Sequence, residues 1–347
     1  MMPNSSFLGT ASGAGSSTAP WQRHRPTAPQ ERSALLLVGE EQAHIYIPYR
    51  RLALPVALFY ATRPRQWVKN LLVFAAPTAA GVIFHPAVFG RCIAAMGIFV
   101  AASASTYLVN DIFDQDADRL HPVKRSRPIA AGELPVQVAW VSAAALLAGS
   151  IVGASLLSGT VLTAVVGSYV LISLAYSCGL KRMPVVEMAC VGSGFVLRAM
   201  AGGATTHVPL SPWFLLVTSF GALFIVGGKR STEQEVLGDD RAVHRAALGE
   251  YPPSFLRTVR TLAASVAVTT YCLWAFDRYN HLSLSARGGH LVWFELSIIP
   301  FVLAVLAVEL AIERGLGGEP EELALRNRTL QALALAWILL LLIGIYS

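Results

Sequence analysis

The sequence predicts an all-α, polytopic membrane protein of about nine transmembrane helices. Three observations predict it. Apolar runs of about 20 residues, the length needed to cross a bilayer, recur along the chain. Only 14% of the 347 residues are charged and 54% are hydrophobic, where soluble domains carry roughly 25% charge. The cations gather in alternate loops between the runs.

Taken in order, residues 1–50 are rich in Ser, Gly, Ala and Pro and are expected to form a disordered cytoplasmic tail. They lack the basic start and compact apolar core of a signal peptide. The organised domain is expected over 51–347. Its entry, Arg63-Pro-Arg65-Gln-Trp67-Val-Lys69-Asn70, has the cations and aromatic of an interfacial segment. It reads equally as a simple anchor or as a phosphate-facing surface made by Arg65, Lys69 and Asn70. Spans are expected near 68–84, 88–109, 136–156, 159–178, 184–203, 212–228, 257–276, 291–311 and 328–346. Lys and Arg are frequent after the second, fourth, sixth and eighth spans, and sparse on the other side. This places the N-terminus inside and the C-terminus outside. The formal charge of +6 does not indicate nucleic acid, because the basic residues are spread over short loops. Cys92, Cys178, Cys190 and Cys272 fall in or beside apolar runs and lack metal-ligand spacing.

The chemistry is expected where the second span ends, at Tyr107-Leu-Val-Asn110-Asp111-Ile-Phe-Asp114-Gln-Asp116-Ala-Asp118. Carboxylates near lipid are expensive. Asp111, Asp114 and Asp118 would share one helix face and repel one another unless a cation lies between them. Oxygen ligands of this kind suit Mg²⁺, which completes its shell with substrate phosphates. Lys124, Arg125 and Arg127, just downstream, suit the phosphates or serve as topology signals. Lys181 and Arg182 have the same two readings. Lys229-Arg230-Ser-Thr-Glu233 closes the sixth span, and for Glu233 and Glu235 a solvated helix end is favoured. Arg198 lies mid-span and needs a cavity or a partner acid, for which Glu187 is a candidate.

Asn110-Asp111-x-x-Asp114-x-x-x-Asp118 resembles the first Asp-rich motif of the UbiA-type intramembrane prenyltransferase superfamily. The chain is more similar still to its decaprenyl-phosphate phosphoribosyltransferase branch. Arg63–Asn70, Tyr107–Asp111, Lys124-Arg-x-Arg-Pro-Ile-Ala-Ala-Gly132, Gly202-Gly203, Trp213–Leu216, Gly228–Arg230 and Gly318–Glu322 carry that likeness over about 60–347. Where the wider superfamily has a second Asp-rich motif, this chain has Lys229-Arg230-Ser-Thr-Glu233, which favours a donor with an additional phosphate.

The resemblance implies transfer from 5-phosphoribosyl 1-diphosphate to decaprenyl phosphate, for cell-wall arabinan synthesis. It implies a multi-pass protein of the cell (inner) membrane with its site facing the cytoplasm. It implies Mg²⁺ on Asn110 and Asp114 with Asp111 and Asp118 nearby. Lys69, Tyr107, Lys124, Arg125, Arg127, Lys181, Lys229 and Arg230 would hold donor phosphates, and Arg65 and Arg198 the acceptor phosphate. The alternative enzyme uses a polyprenyl diphosphate and an aromatic acceptor. A transporter is the second class, but no inverted repeat is evident. Oligomeric state is open, with a homo-oligomer allowed.

Overall fold

The computed structural model describes residues 52–121, 123–237, 246–281, 291–318 and 320–346, which form helices and turns with no strand among them. The tail expected over 1–50 lies outside them, as do Asp239, Asp240, Arg241, Arg245 and Arg287. Proline opens many of the helices, where its missing N–H is harmless and its fixed φ suits the first turn. It does so in α1 (Leu54–Ala61), in the 3-10 stretch Pro64–Phe74, and in α3 (Pro86–Phe113). The pattern returns in α7 (Pro212–Leu237), in α9 (Pro253–His281), which follows the short α8 (Ala246–Glu250), and in α11 (Pro320–Arg326).

The first expected span, 68–84, takes another form. Pro64–Phe74 is 3-10 helix, and only α2 (Ala75–Ala79) continues it as α-helix. Such runs rarely exceed one turn, because side chains eclipse and hydrogen bonds bend. Here the stretch packs against α6 (Val186–Thr206), and the carbonyl of Val73 rests directly on Gly202. A β-carbon at Gly202 would overlap that oxygen.

The 43 residues of α5 (Val136–Cys178) contain both expected spans, 136–156 and 159–178. The helix breaks at Ser158 and at Gly159, whose φ of 64° suits glycine. Near its start, Ala143 accepts a hydrogen bond from Ser105 and packs with Leu108 and Val109 of α3. At its end, Ser177 donates to Asn110 of α3. Both ends meet the same half of α3, so the chain reverses at Ser158–Gly159 into a helical hairpin.

Six helices among the described residues have the length and apolarity of membrane spans: α3, α5, α7, α9, α10 (Leu291–Glu313) and α12 (Arg328–Tyr346). α6 is long enough but less apolar, and it buries Glu187 and Arg198. Successive helices pack side by side from α3 through α5, α6, α7, α9 and α10 to α12. The last described helices then return to the first segment of the bundle. Tyr346 meets Phe84 with ring centroids 5.2 Å apart, and Glu322 of α11 reaches Arg65. Within the bundle α3 is central: 56% of its apolar window is buried, against 17% in α5 and in α12. The outward Leu, Val and Ile side chains of those peripheral helices would be a liability in water and are at home in lipid.

Gly202→Val is therefore expected to destabilise the fold by about 1–3 kcal/mol through overpacking. A lowered thermal unfolding midpoint in detergent checks this; an unchanged midpoint rules out the close approach.

Candidate active site at the end of α3

The α3 helix stops at Phe113 because Asp114 leaves helical geometry (φ −93°, ψ 4°), and the chain restarts as α4 (Gln115–Leu120). This break corrects the expectation of one acidic face. Asp111 and Asp118 turn inward, each only 3% exposed, while Asn110 and Asp114 line a cavity of about 360 Å³.

The two buried acids are held by arginines. Arg127 donates to Asp111 at 3.1 Å and to Asp118 at 2.7 Å. Arg63 also pairs with Asp111, and its guanidinium stacks over Tyr107 at 4.8 Å. Arg63 has the left-handed φ of 56°, uncommon away from glycine, where the chain turns from α1 into the 3-10 stretch. Arg63, Tyr107 and Arg127 all line the cavity; Asp111 and Asp118 do not. Asp111 and Asp118 thus face cations of the protein itself.

On the cavity side, Asp114 accepts from Lys181 at 2.5 Å and from Asn110 at 3.1 Å. The Asn110 side-chain oxygen, Oδ1, accepts from Ser177. A carboxylate and an amide oxygen are hard donors, and Lys181 already brings positive charge to Asp114. Among the described residues no three His, Cys, Asp or Glu side chains converge as a metal cage. That donor set fits Mg²⁺, which keeps most of its shell for water and phosphate oxygens.

The other expected residues divide. Lys69, Lys124, Lys181, Arg198 and Lys229 line the cavity. Arg125 lies exposed on the 3-10 turn Lys124–Ser126. Arg65, 86% exposed, sits 3.6 Å from Glu322 and outside the cavity. Asn70 is fully buried and accepts from Nε of Arg198 at 2.7 Å, so it supports the wall instead of forming it. Arg198 also donates to the Gly194 carbonyl and to the Tyr169 hydroxyl.

Glu187 is therefore not the partner of Arg198. It lies fully buried and makes a two-pronged pair with Arg230, at 2.7 and 2.6 Å. Arg230, 2% exposed, is spent on Glu187 and Glu233 and does not line the cavity. Nearby, Tyr251 accepts the Val185 N–H at 2.6 Å, and burial pushes its phenol above the usual value.

Glu233 and Arg63 are the charged cavity residues given no role by sequence reasoning. Lys229 and Glu233 are four apart and so share one face of α7, which was the signal available for Glu233. For Arg63 it was the need of a buried Asp111 for a counter-charge.

A membrane-embedded helical bundle with an acid–amide pair in a cation-lined cavity defines an intramembrane transferase acting on phosphorylated substrates. The UbiA prenyltransferase family matches residues 71–321, and the chain belongs to that family. Within it, the chain is 46% identical over 290 residues to the decaprenyl-phosphate phosphoribosyltransferase of Corynebacterium glutamicum, covering 82% of this chain and 86% of that one. The Mycobacterium tuberculosis decaprenyl-phosphate phosphoribosyltransferase is 46% identical over 282 residues, 80% and 90% of the two chains. Among solved structures, a UbiA homolog from Archaeoglobus fulgidus aligns at a TM-score of 0.62 and 18% identity, over 83% of this chain and 98% of that one. The homolog bound to DMAPP and Mg²⁺ aligns at 0.59 and 18% identity, over 83% and 97%. At such identity the likeness is one of fold.

Glu187→Gln leaves Arg230 underpaired in the bundle and is expected to cost about 3–5 kcal/mol. Arg65→Ala, at a solvent-exposed pair, is expected to leave the unfolding midpoint unchanged. Thermal unfolding of the two variants in one detergent checks both; equal midpoints contradict the assignment.

Proposed function

We propose that the protein transfers 5-phosphoribosyl from 5-phosphoribosyl 1-diphosphate to decaprenyl phosphate, releasing diphosphate. The observation that carries this is the cavity at the end of α3. It sets Asn110 and Asp114 among seven cationic side chains, in a chain close to named decaprenyl-phosphate phosphoribosyltransferases. Both substrates are phosphorylated, and the acceptor carries a lipid tail that the apolar outer faces of the bundle suit.

In the step, an acceptor phosphate oxygen forms a bond to ribose C1 as the bond from C1 to the diphosphate oxygen breaks. The acceptor is already an anion near neutral pH, so no strong base is required. Mg²⁺, held by Asn110 and Asp114, supplies charge neutralisation for the departing diphosphate. Lys181 and Lys124 fix the same group, and their fixed placement lowers the entropic part of the barrier. Arg63 and Arg127, locked by Asp111 and Asp118, present guanidiniums that suit a phosphate's paired oxygens. Arg198 is assigned to the acceptor phosphate, and Arg65, outside the cavity, has no part.

The site is assigned to the cytoplasmic side of the cell membrane. Lys124, Arg127, Lys181 and Lys229 all lie at that end of the bundle, as the bias of cations towards the cytoplasm requires. The product is a lipid-linked phosphoribose, a precursor for cell-wall arabinan.

Purified protein given radiolabelled phosphoribosyl diphosphate and decaprenyl phosphate is expected to move label into the organic phase only with Mg²⁺ present. Asp114→Ala is expected to lower the rate on the order of 100-fold or more. Near-normal Mg²⁺-dependent turnover by that variant contradicts the proposal. So does consumption of a polyprenyl diphosphate with phosphoribosyl diphosphate ignored.

A further inference from the structure

We infer that Tyr251 is a positioning residue for the donor site, its hydroxyl holding in place the turn that carries Lys181. The inference rests on the role proposed above for Lys181 and adds the group that fixes it.

Lys181 reaches Asp114 at 2.5 Å from a short link between α5 and α6. The link is one 3-10 turn, Leu180–Arg182, followed by Met183, Pro184 and Val185. A lysine stem has many rotamers, so its ammonium is placed only where the backbone beneath it is placed. At the α5 end the helix does this, through the bond from the Gly179 N–H to the Ala175 carbonyl at 3.1 Å. At the α6 end the chain adopts a conformation that valine disfavours. Val185 has φ 65° and ψ −49°, and the Val186 N–H donates across it to the Pro184 carbonyl at 2.7 Å. This is the γ-turn of positive φ, which is rare and strained, and a β-branched residue fits it badly. Packing of the Val185 side chain does not explain it, because that side chain is 55% exposed. Strain of this kind persists only where the surroundings over-determine the backbone.

Tyr251, in the link between α8 and α9, supplies that constraint. Its hydroxyl accepts the Val185 N–H and turns its own proton towards Glu187. The oxygen is itself held still. The ring is 3% exposed among Met188, Val226, Leu248 and Leu256, and it stacks on Phe255 with centroids 5.5 Å apart. The Tyr251 carbonyl accepts from Gln234 of α7 at 2.6 Å. α8, just before it, packs against the Leu180–Arg182 turn. A rigid side chain thus reaches the backbone N–H of the strained residue. Without the hydroxyl that N–H loses its partner, and Val185 is free to relax towards negative φ. The relaxation turns the neighbouring peptide planes and moves the base of Lys181, four residues away.

The test follows label from phosphoribosyl diphosphate to decaprenyl phosphate with purified full-length protein and Mg²⁺. Tyr251→Phe keeps the ring and its stacking. It is expected to lower kcat/KM for the donor about 10-fold, with the KM for decaprenyl phosphate unchanged. In a Lys181→Ala background, where the side chain carried by the turn is gone, Tyr251→Phe is expected to bring no further loss. Adding Val185→Gly to Tyr251→Phe is expected to recover most of the loss, because glycine takes a positive φ without steric cost. If Tyr251→Phe does not fold, exchange of the Pro184–Val185 amide for an ester, with α-hydroxyvaline at 185, removes the donated N–H alone. It is expected to give the same loss on the donor side. Wild-type kinetics in Tyr251→Phe or in the ester overturn the inference. So does a loss that is equal with and without the Lys181 amine, or one that falls on the acceptor KM as much as on the donor, since Tyr251 then only supports the bundle. In each of these cases the wild type still transfers label; absence of transfer by the wild type removes the proposed function, and the inference with it.

Discussion

A carboxylate taken out of water at the end of a membrane span must be neutralised, and this demand sets where the other charges of the site go. Asp111 and Asp118 are buried, so Arg127 bridges them and Arg63 is drawn down from the preceding turn in a left-handed conformation. Those two arginines are thereby fixed on the cavity wall. Glu187 is buried, so Arg230 is drawn in and Glu233 is fixed in turn. The acids that never touch the cavity hold in place the groups that do. Any substrate anion then meets guanidiniums already oriented, without the entropic loss of ordering long side chains at the moment of binding.

The two acidic regions solve the same problem with opposite outcomes. At the end of α3 a break in the helix at Asp114 separates one carboxylate from its neighbours and leaves it facing the cavity beside Asn110 and Lys181. At the end of α7 the helix runs on through Glu233 without a break. Lys229 and Glu233 therefore reach the cavity from one face, while Arg230 turns inward to Glu187. The first arrangement leaves hard oxygen donors for a cation, and the second sets a carboxylate against arginine.

Much of the fold was legible because membrane spans are long, apolar and bounded by loop charge. The bundle and the reversal at Ser158–Gly159 follow from that pattern; the central place of α3 and the return at α12 depend on packing and do not. The first segment was not legible either, because hydropathy is blind to winding. Leu71–Phe74 is apolar and reads as the start of a span, but Pro64–Phe74 as a whole, with Arg65, Gln66, Lys69 and Asn70, is drawn into 3-10 form where Val73 meets Gly202. The site was legible in its residues and less so in their partners. Helical spacing put Asp111, Asp114 and Asp118 on one face, and no local signal marked the break at Asp114. Arg198 was rightly placed at a cavity, but Glu187, on the same helix, looked nearer than Asn70 and Tyr169, which come from elsewhere in the chain. Adjacent cations such as Lys229 and Arg230 looked alike in sequence and point to different places in the fold.

The division of labour within the acidic motif is tested most directly by locating the metal. An experimental structure of the full chain with phosphoribosyl diphosphate and Mn²⁺, whose anomalous scattering identifies the ion, is the measurement. The ion is expected beside Asn110 and Asp114, in contact with diphosphate oxygens, with Asp111 and Asp118 still on Arg63 and Arg127. An ion lying between Asp111 and Asp118, with those arginines displaced, contradicts it.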